Sequence, residues 1–305
     1  VNYSTIFKYI SMIYIYIYMK TKKYCSPGSG DSLSCVPHSI LKKIAHILNK
    51  QKECKRIKIS SHPKQLYKRI KEEIKHISDC NKETCWLEIK QFKNELSKKD
   101  YEELKNSFRP LKPKSWNQNP NEWLTTENID DVMEQYHNVN PTFEYLGALP
   151  IDFDKRNKDD SCAVSDICQL NLQELIDGGT ESMGIVFNVD PSTRGGLHWF
   201  SMYVDLVGKN CKNPCIYYFD SVKGDILPEI ERLIQTMKDQ YVKIYPDEDI
   251  DVKFNDLQHQ YEDTECGVYC IHFLTEMLKG KKFFDYVNSK INDKMMNKFR
   301  NVFFV

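Results

Sequence analysis

The stretch LHWFSMYVDL, residues 197–206, reads as a buried strand: apolar residues run through it with hardly a break and β-formers dominate. Its neighbours have the same character. SMGIVFNVD (182–190) is a second buried strand, separated from the first by the turn-rich PSTRGG (191–196). CIYYFDS (215–221) is a third, after the turn VGKNCKNP (207–214). FEYLGALPIDF (143–153) looks like a strand entering a loop, and DIDVKFND (249–256) like a further strand. Between and after them lie helical patterns. DSCAVSDICQLNLQELIDGG (160–179) is loop plus helix closed by two glycines, DILPEIERLIQTMKDQYV (225–242) is amphipathic, and CGVYCIHFLTEML (266–278) is an apolar helix. A sheet with segregated helices makes this half an α+β domain.

The first half has no such strands. Ile40, Ile44, Ile47 and Leu48 form one helical stripe, and Leu66, Ile70, Ile74 and Ile77 another. SKKDYEELKNSF (97–108) is a third helix with Ser97 as its cap, and the proline-bearing RPLKPKSWNQNPNEW (109–123) ends the run as a loop. TTENIDDVMEQYHNV (125–139) reads as one more short helix. The predicted organisation is a leader over 1–35, a basic helical domain over 36–140 and an α+β domain over 141–305. Formal charge is zero over the 305 residues, but Val36–Lys114 carries a net +11 and the remainder −11. Such a basic block is either a solvated helical surface or a contact for nucleic acid or an acidic partner.

The opening VNYSTIFKYISMIYIYIYMKTKK (1–23) has no basic region ahead of its apolar run and no small-residue cleavage site, and the run is short for a membrane span. Residues 1–18 read as translated upstream sequence, with the natural start at Met19, and MKTKKYCSPGSGDSLSC (19–35) as a flexible leader. No membrane association is expected. Eleven cysteines without framework spacing point to reduced thiols in a cytosol-like compartment.

Four residues at element ends could converge on thiol chemistry. His198 opens one strand, Asp220 closes another, Gln260 stands six residues before Cys266, and Cys266 starts a helix with Thr264 as its candidate cap. A helix start and an imidazolium lower a thiol pKa. The imidazole shuttles the proton, a carboxylate orients the ring, and a side-chain amide holds a developing oxyanion. Other residues are assigned to structure. Cys270 lies one turn further along an apolar helix and reads as packing, His259 as exposed or structural, and His272 as core. Asp205 sits about 23 Å from His198 at strand rise and cannot orient it. A four-thiolate zinc site from Cys211, Cys215, Cys266 and Cys270 would disable the nucleophile. Neither cofactor nor metal is expected.

The ordered segments GGLHWFSMYVDL, IYYFDS and LQHQYEDTECGVYC resemble the ubiquitin-like-protein-specific cysteine proteases, which include SUMO proteases and the adenovirus protease. Within that clan NVDPSTRGGLHW, HQYEDTECG and DKMMNKFRNVFF are similar to the polyprotein-processing branch of African swine fever virus, and KETCWL (82–87) resembles part of its amino-terminal extension. The resemblance implies a papain-like, SUMO-protease-type core over 141–305 behind a helical extension. It implies His198 as general base, Asp220 as its orienting partner, Cys266 as nucleophile, Gln260 as oxyanion donor, and Trp199 as a wall of the channel that threads a Gly-Gly tail. The implied activity is a viral endopeptidase cutting capsid or core polyproteins after Gly-Gly in Gly-Gly-Xaa sites, in the host cytoplasm and the virion. The alternatives are removal of SUMO- or ubiquitin-like tails from host proteins, or a scaffold or nucleic-acid-binding role of the basic domain, which could touch DNA or the virion core.

Overall fold

The computed structural model describes residues 25–28, 33–59 and 62–305. The readings for residues 1–18 and for Met19 lie outside these. Two compact units result: Lys114–Asn301, and the described residues up to Pro113 together with Val302–Val305.

In the smaller unit the helices are α1 (His38–Leu48), α2 (Pro63–Ile74), α3 (Lys90–Glu95) and α4 (Lys98–Asn106). The two stripes read from the sequence become its core: Ile40, Ile44 and Leu48 are fully buried, as are Leu66 and Ile70. Proline at the first turn opens α2, where a missing N–H is harmless, and Ser97 Oγ accepts from Asp100 N at 3.2 Å to cap α4. Part of the segment expected as a flexible leader is tied down. Cys25 and Cys35 are buried and joined to each other, and Ser26 N donates to Ser107 O. The chain's last residues close this unit, with Lys112 N donating to Val305 O and Val305 N to Pro110 O.

The larger unit begins with the loop at Lys114 and helix α5 (Thr126–Val139), which the sequence assigned to the helical half. Helix α5 packs on β1 (Phe143–Pro150) through Ile129, Val132 and Met133. A five-stranded sheet follows in sequential order through β2 (Ser182–Asn188), β3 (Trp199–Asp205), β4 (Cys215–Phe219) and β5 (Asp251–Phe254). The outer pairs β1–β2 and β4–β5 are parallel, and the inner pairs are antiparallel. Strands β2, β3 and β4 are buried at every position. They read as near-continuous apolar runs because both sheet faces are covered. On one face Phe200, Met202, Val204, Ile216 and Tyr218 pack with α6 (Leu172–Asp177) and α7 (Pro228–Ile244). On the other, α8 (Cys266–Leu278) lies along β3, with Phe273 stacked on Phe219 at 4.9 Å between ring centres. Helices α9 (Phe283–Asn288) and α10 (Asp293–Phe303) finish the chain.

The expectation of reduced thiols is corrected in part. Cys25–Cys35, Cys80–Cys85 and Cys162–Cys168 are disulfides, with Cα atoms 4.9, 5.8 and 5.8 Å apart. Each closes a local loop, and that proximity comes from turn geometry that spacing alone does not reveal. Cys54, Cys211, Cys215, Cys266 and Cys270 are free. Among the described residues no helix is long and apolar enough to cross a membrane.

Candidate active site

His198 lies one residue ahead of β3, on backbone that continues the β2–β3 pairing: Val189 N donates to His198 O at 3.0 Å. Asp220 follows the last residue of β4. The two strand ends bring His198 Nε2 to 2.7 Å from Asp220 Oδ1. With Nε2 engaged, the ring's Nδ1 is left for the thiol, and His198 does hydrogen-bond Cys266. Burial by itself drives the imidazole towards its neutral form. The hydrogen bonds to Asp220 and Cys266, with their charges, overcome it and raise the His198 pKa from 6.5 to about 9. At neutral pH the ring is an imidazolium, the form that stabilises a neighbouring thiolate.

Asp220 is itself built in. Val222 N donates to Oδ1 at 3.0 Å and Gly224 N to Oδ2 at 2.9 Å. A Cβ on Gly224 would come within 2.6 Å of Oδ2, so only glycine lets this turn close on the carboxylate. Asn255, just past β5, clamps the Asp220 backbone: its Oδ1 accepts from Asp220 N at 2.9 Å and its Nδ2 donates to Asp220 O at 2.7 Å. Ser221 extends the construction towards the oxyanion donor. Its carbonyl accepts from the N–H groups of His259 and Gln260, and its Oγ donates to Gln260 Oε1 at 2.7 Å. That bond fixes the amide's orientation, since Oε1 accepts and Nε2 must face the other way. Nε2 donates one hydrogen to Glu262 O at 2.6 Å, which leaves the second for an oxyanion.

Cys266 is the first residue of α8 and 4% exposed. Thr264 does not cap this helix. Glu265 holds the cap position, no side chain accepts from the first turn, and the Thr264 hydroxyl donates to the Glu265 carboxylate. The first-turn N–H groups therefore keep their positive end beside the sulfur. Gly267 allows close cover: a Cβ there would meet Leu124 Cβ at 3.0 Å. The Leu124 carbonyl accepts from Trp199 Nε1 at 3.0 Å, so the segment before α5 passes over both the nucleophile's helix and the indole.

The structure thus brings His198, Asp220 and Cys266 into one hydrogen-bonded set, with Gln260 tied to Ser221 next to Asp220 and Trp199 next to His198. Cys270 is buried against Ser201, and burial, helped by the negative charge of Cys266, pushes its thiol well above the usual range. His272 is core, as expected. His259 is structural but not exposed, at 2% accessibility among Phe219, Tyr269 and Tyr286. Asp205 ends β3 and accepts from Val207 N and Asn210 N. A groove of about 660 Å³ lies elsewhere, between the Leu170 segment and α7, and none of these residues lines it. Sequence reasoning missed Ser221, Gly224, Asn255 and Leu124 as parts of the site. Ser221 and Gly224 could be suspected from the turn after Asp220, whereas Asn255 and Leu124 act across the fold and leave no local pattern.

The profile of the Ulp1 protease family, C-terminal catalytic domain, matches residues 185–305. That span holds His198, Asp220, Gln260 and Cys266 in order. This segment is similar to the catalytic domain of the Ulp1 protease family. The chain also resembles proteins of large DNA viruses. It is 33% identical over 183 residues to a protein of Acanthamoeba polyphaga mimivirus that carries the name of a thiol protease. That match spans 60% of this chain and just over half, 57%, of the mimivirus protein. It is 27% identical over 187 residues to a cysteine protease of African swine fever virus, spanning 59% of this chain and 67% of that one. The crystal structure of an African swine fever virus protease superposes with a TM-score of 0.68 at 20% identity, over 92% of this chain and 95% of that one. The Ulp1-type fold and its preceding helical region are therefore shared.

Proposed function

We propose that this chain is a Ulp1-type cysteine endopeptidase that cuts viral structural polyproteins after Gly-Gly in Gly-Gly-Xaa sites. The observation that carries this reading is the His198–Asp220 pair hydrogen-bonded at Nε2 with Cys266 on the ring's other side. In the reaction Cys266 Sγ attacks the scissile carbonyl carbon, and the carbonyl π electrons move to oxygen. The oxyanion is held by Gln260 Nε2 and a first-turn N–H of α8. Collapse expels the amine, which takes the proton from His198. Water, deprotonated by the now neutral ring, then attacks the thioester and releases the acid, and the proton on His198 restores the starting pair. Trp199, held by the Leu124 carbonyl, walls the approach, and a chain without side chains at its last two residues suits a nucleophile only 4% exposed.

The setting that goes with this reading is the host cytoplasm and the virion, with the basic helical unit touching DNA or the virion core. A salt series on DNA binding tests the last point, since phosphate contacts weaken steeply with salt.

A second reading, removal of SUMO-like tails from host proteins, is favoured by one fact: a relative in African swine fever virus carries the name SUMO-1 cysteine protease. One experiment separates the two. Purified protein is given Gly-Gly-Xaa peptides and, separately, SUMO- and ubiquitin-type electrophilic probes, with Cys266→Ala alongside. Peptide cleavage lost in the variant supports the endopeptidase. Probe labelling at Cys266 without peptide cleavage supports deconjugation, and cleavage that survives in Cys266→Ala sinks both.

A further inference from the structure

One face of α10 holds the loop between the oxyanion donor and the nucleophile. Asp293, Asn297 and Arg300 stand at i, i+4 and i+7, so they line one side of the helix. Asp293 Oδ2 accepts from Tyr261 N at 2.9 Å and Glu262 N at 3.2 Å, next to Gln260. Asn297 Nδ2 donates to Glu265 Oε1 at 2.5 Å, next to Cys266. Arg300 Nη2 donates to Thr264 O at 2.6 Å, and Nη1 to Glu122 O at 2.7 Å. Its Nε donates to Asn297 Oδ1 at 3.1 Å, and the guanidinium lies over the Trp116 ring at 5.1 Å.

These contacts are too well built for a surface arginine. Arg300 is 3% exposed, and Glu265, whose carboxylate is wholly buried, supplies the matching charge. A buried cation persists only when paired and hydrogen-bonded, and every nitrogen of this guanidinium has a partner. We propose that Arg300 is a positioning residue for catalysis: it holds the Thr264 carbonyl and the Glu122 carbonyl together, setting Cys266 against the segment that carries Leu124 over the site. The planar fork makes this possible. Its two outer nitrogens reach two carbonyls from different parts of the chain while Nε stays fixed to α10. Burial lowers the Arg300 pKa, and the charges of Glu265, Cys266 and Glu122 oppose that fall, so the guanidinium also faces the nucleophile as a positive charge. The charged groups that act on it are then Glu265, Cys266 and Glu122.

The proposal rests on the cysteine-peptidase reading, and its test keeps the two apart. Wild-type protein, Arg300→Met, Arg300→Lys and Asn297→Ala are alkylated with iodoacetamide across the acid-to-alkaline range, and the Cys266 and Cys211 peptides are quantified separately by mass spectrometry. The kcat and KM on a Gly-Gly-Xaa peptide and the Tm are measured on the same samples. In Arg300→Met the low-pH reactivity of Cys266 and the kcat should fall roughly 10- to 100-fold, with KM within about twofold, because a displaced nucleophile loses its geometry. Cys211 should react as before, Arg300→Lys should recover part of the loss, and Asn297→Ala should show a smaller loss of the same kind. A folded Arg300→Met with an unchanged Cys266 profile and kcat would overturn the proposal. Should Arg300→Met not fold, Asn297→Ala decides in the same way. Wild-type Cys266 no more reactive than Cys211 at low pH would strike down the peptidase reading, and the positioning role with it.

Discussion

At the scale of single residues, the charge of Asp220 is what separates this site from one that merely orients an imidazole. An amide in its place could still accept a hydrogen bond from His198, but it could not hold the ring's pKa at about 9. Asp220→Asn should therefore move the alkaline limb of the kcat/KM profile down towards the ordinary histidine range. Its rate loss should be on the order of 10²-fold, smaller than that of His198→Ala, which removes the proton carrier itself. A pH–rate series on a Gly-Gly-Xaa peptide measures both, and an unmoved alkaline limb would show that Asp220 does not tune the ring. Gly224→Ala tests the same carboxylate from behind. The added methyl, 2.6 Å from Oδ2, must push it off His198 or break the turn. The expected result is a kcat loss of at least about tenfold with a small change in Tm. A variant as active as wild type would mean that the turn yields rather than the carboxylate.

Between elements, a close fit that bears on the site is that of α8 under the segment before α5. The Gly267 position faces Leu124 at 3.0 Å, and that same residue's carbonyl holds Trp199. Gly267→Ala should cost about 1–3 kcal/mol of stability by overpacking and lower kcat/KM through the displaced indole. Leu124→Ala in the same chain should relieve part of both losses, since the two side chains compete for one space. A double-mutant cycle on Tm and kcat/KM reads that coupling, and additive effects would refute it. What the sequence makes legible at this scale is the run of elements. Strands β2 to β4 announce themselves because both faces are covered and most positions are apolar. Cys266 announces itself by standing at the junction of a polar loop and an apolar helix. Thr264 shows the limit of local reading. It has the residue type and position of a cap, but the buried Glu265 takes its hydroxyl, and that choice depends on Asn297 far along the chain. Leu124 and α5 read as part of the helical half because composition changes only after them, while α5 packs on β1 and α8.

For the molecule as a whole, three histidines set opposite limits to stability with pH. His259 and His272 are buried neutral: burial, aided by Lys290, lowers the first to about 4, and burial, against the pull of Glu276, lowers the second to about 3. In the unfolded chain both bind a proton near pH 6.5, so between 6.5 and those values the unfolded state holds more protons. Their contribution is complete above 6.5 and is lost as pH falls, at most on the order of 3 kcal/mol for His259 and 5 kcal/mol for His272. His198 has the reverse sign. Its pKa of about 9 in the fold exceeds the unfolded value, so its contribution is complete below 6.5 and is lost as pH rises through 9. Stability should peak near neutrality and fall on both sides for separable reasons. Urea unfolding from about pH 4 to 10 tests this in wild type, His259→Phe and His198→Ala. The aromatic replacement suits a ring already packed among Phe219, Tyr269 and Tyr286, whose Nε2 has no hydrogen-bond partner. His259→Phe should flatten the acid limb and leave the alkaline limb alone, and His198→Ala should do the opposite. An acid limb equally steep in His259→Phe would assign acid lability to the carboxylates instead.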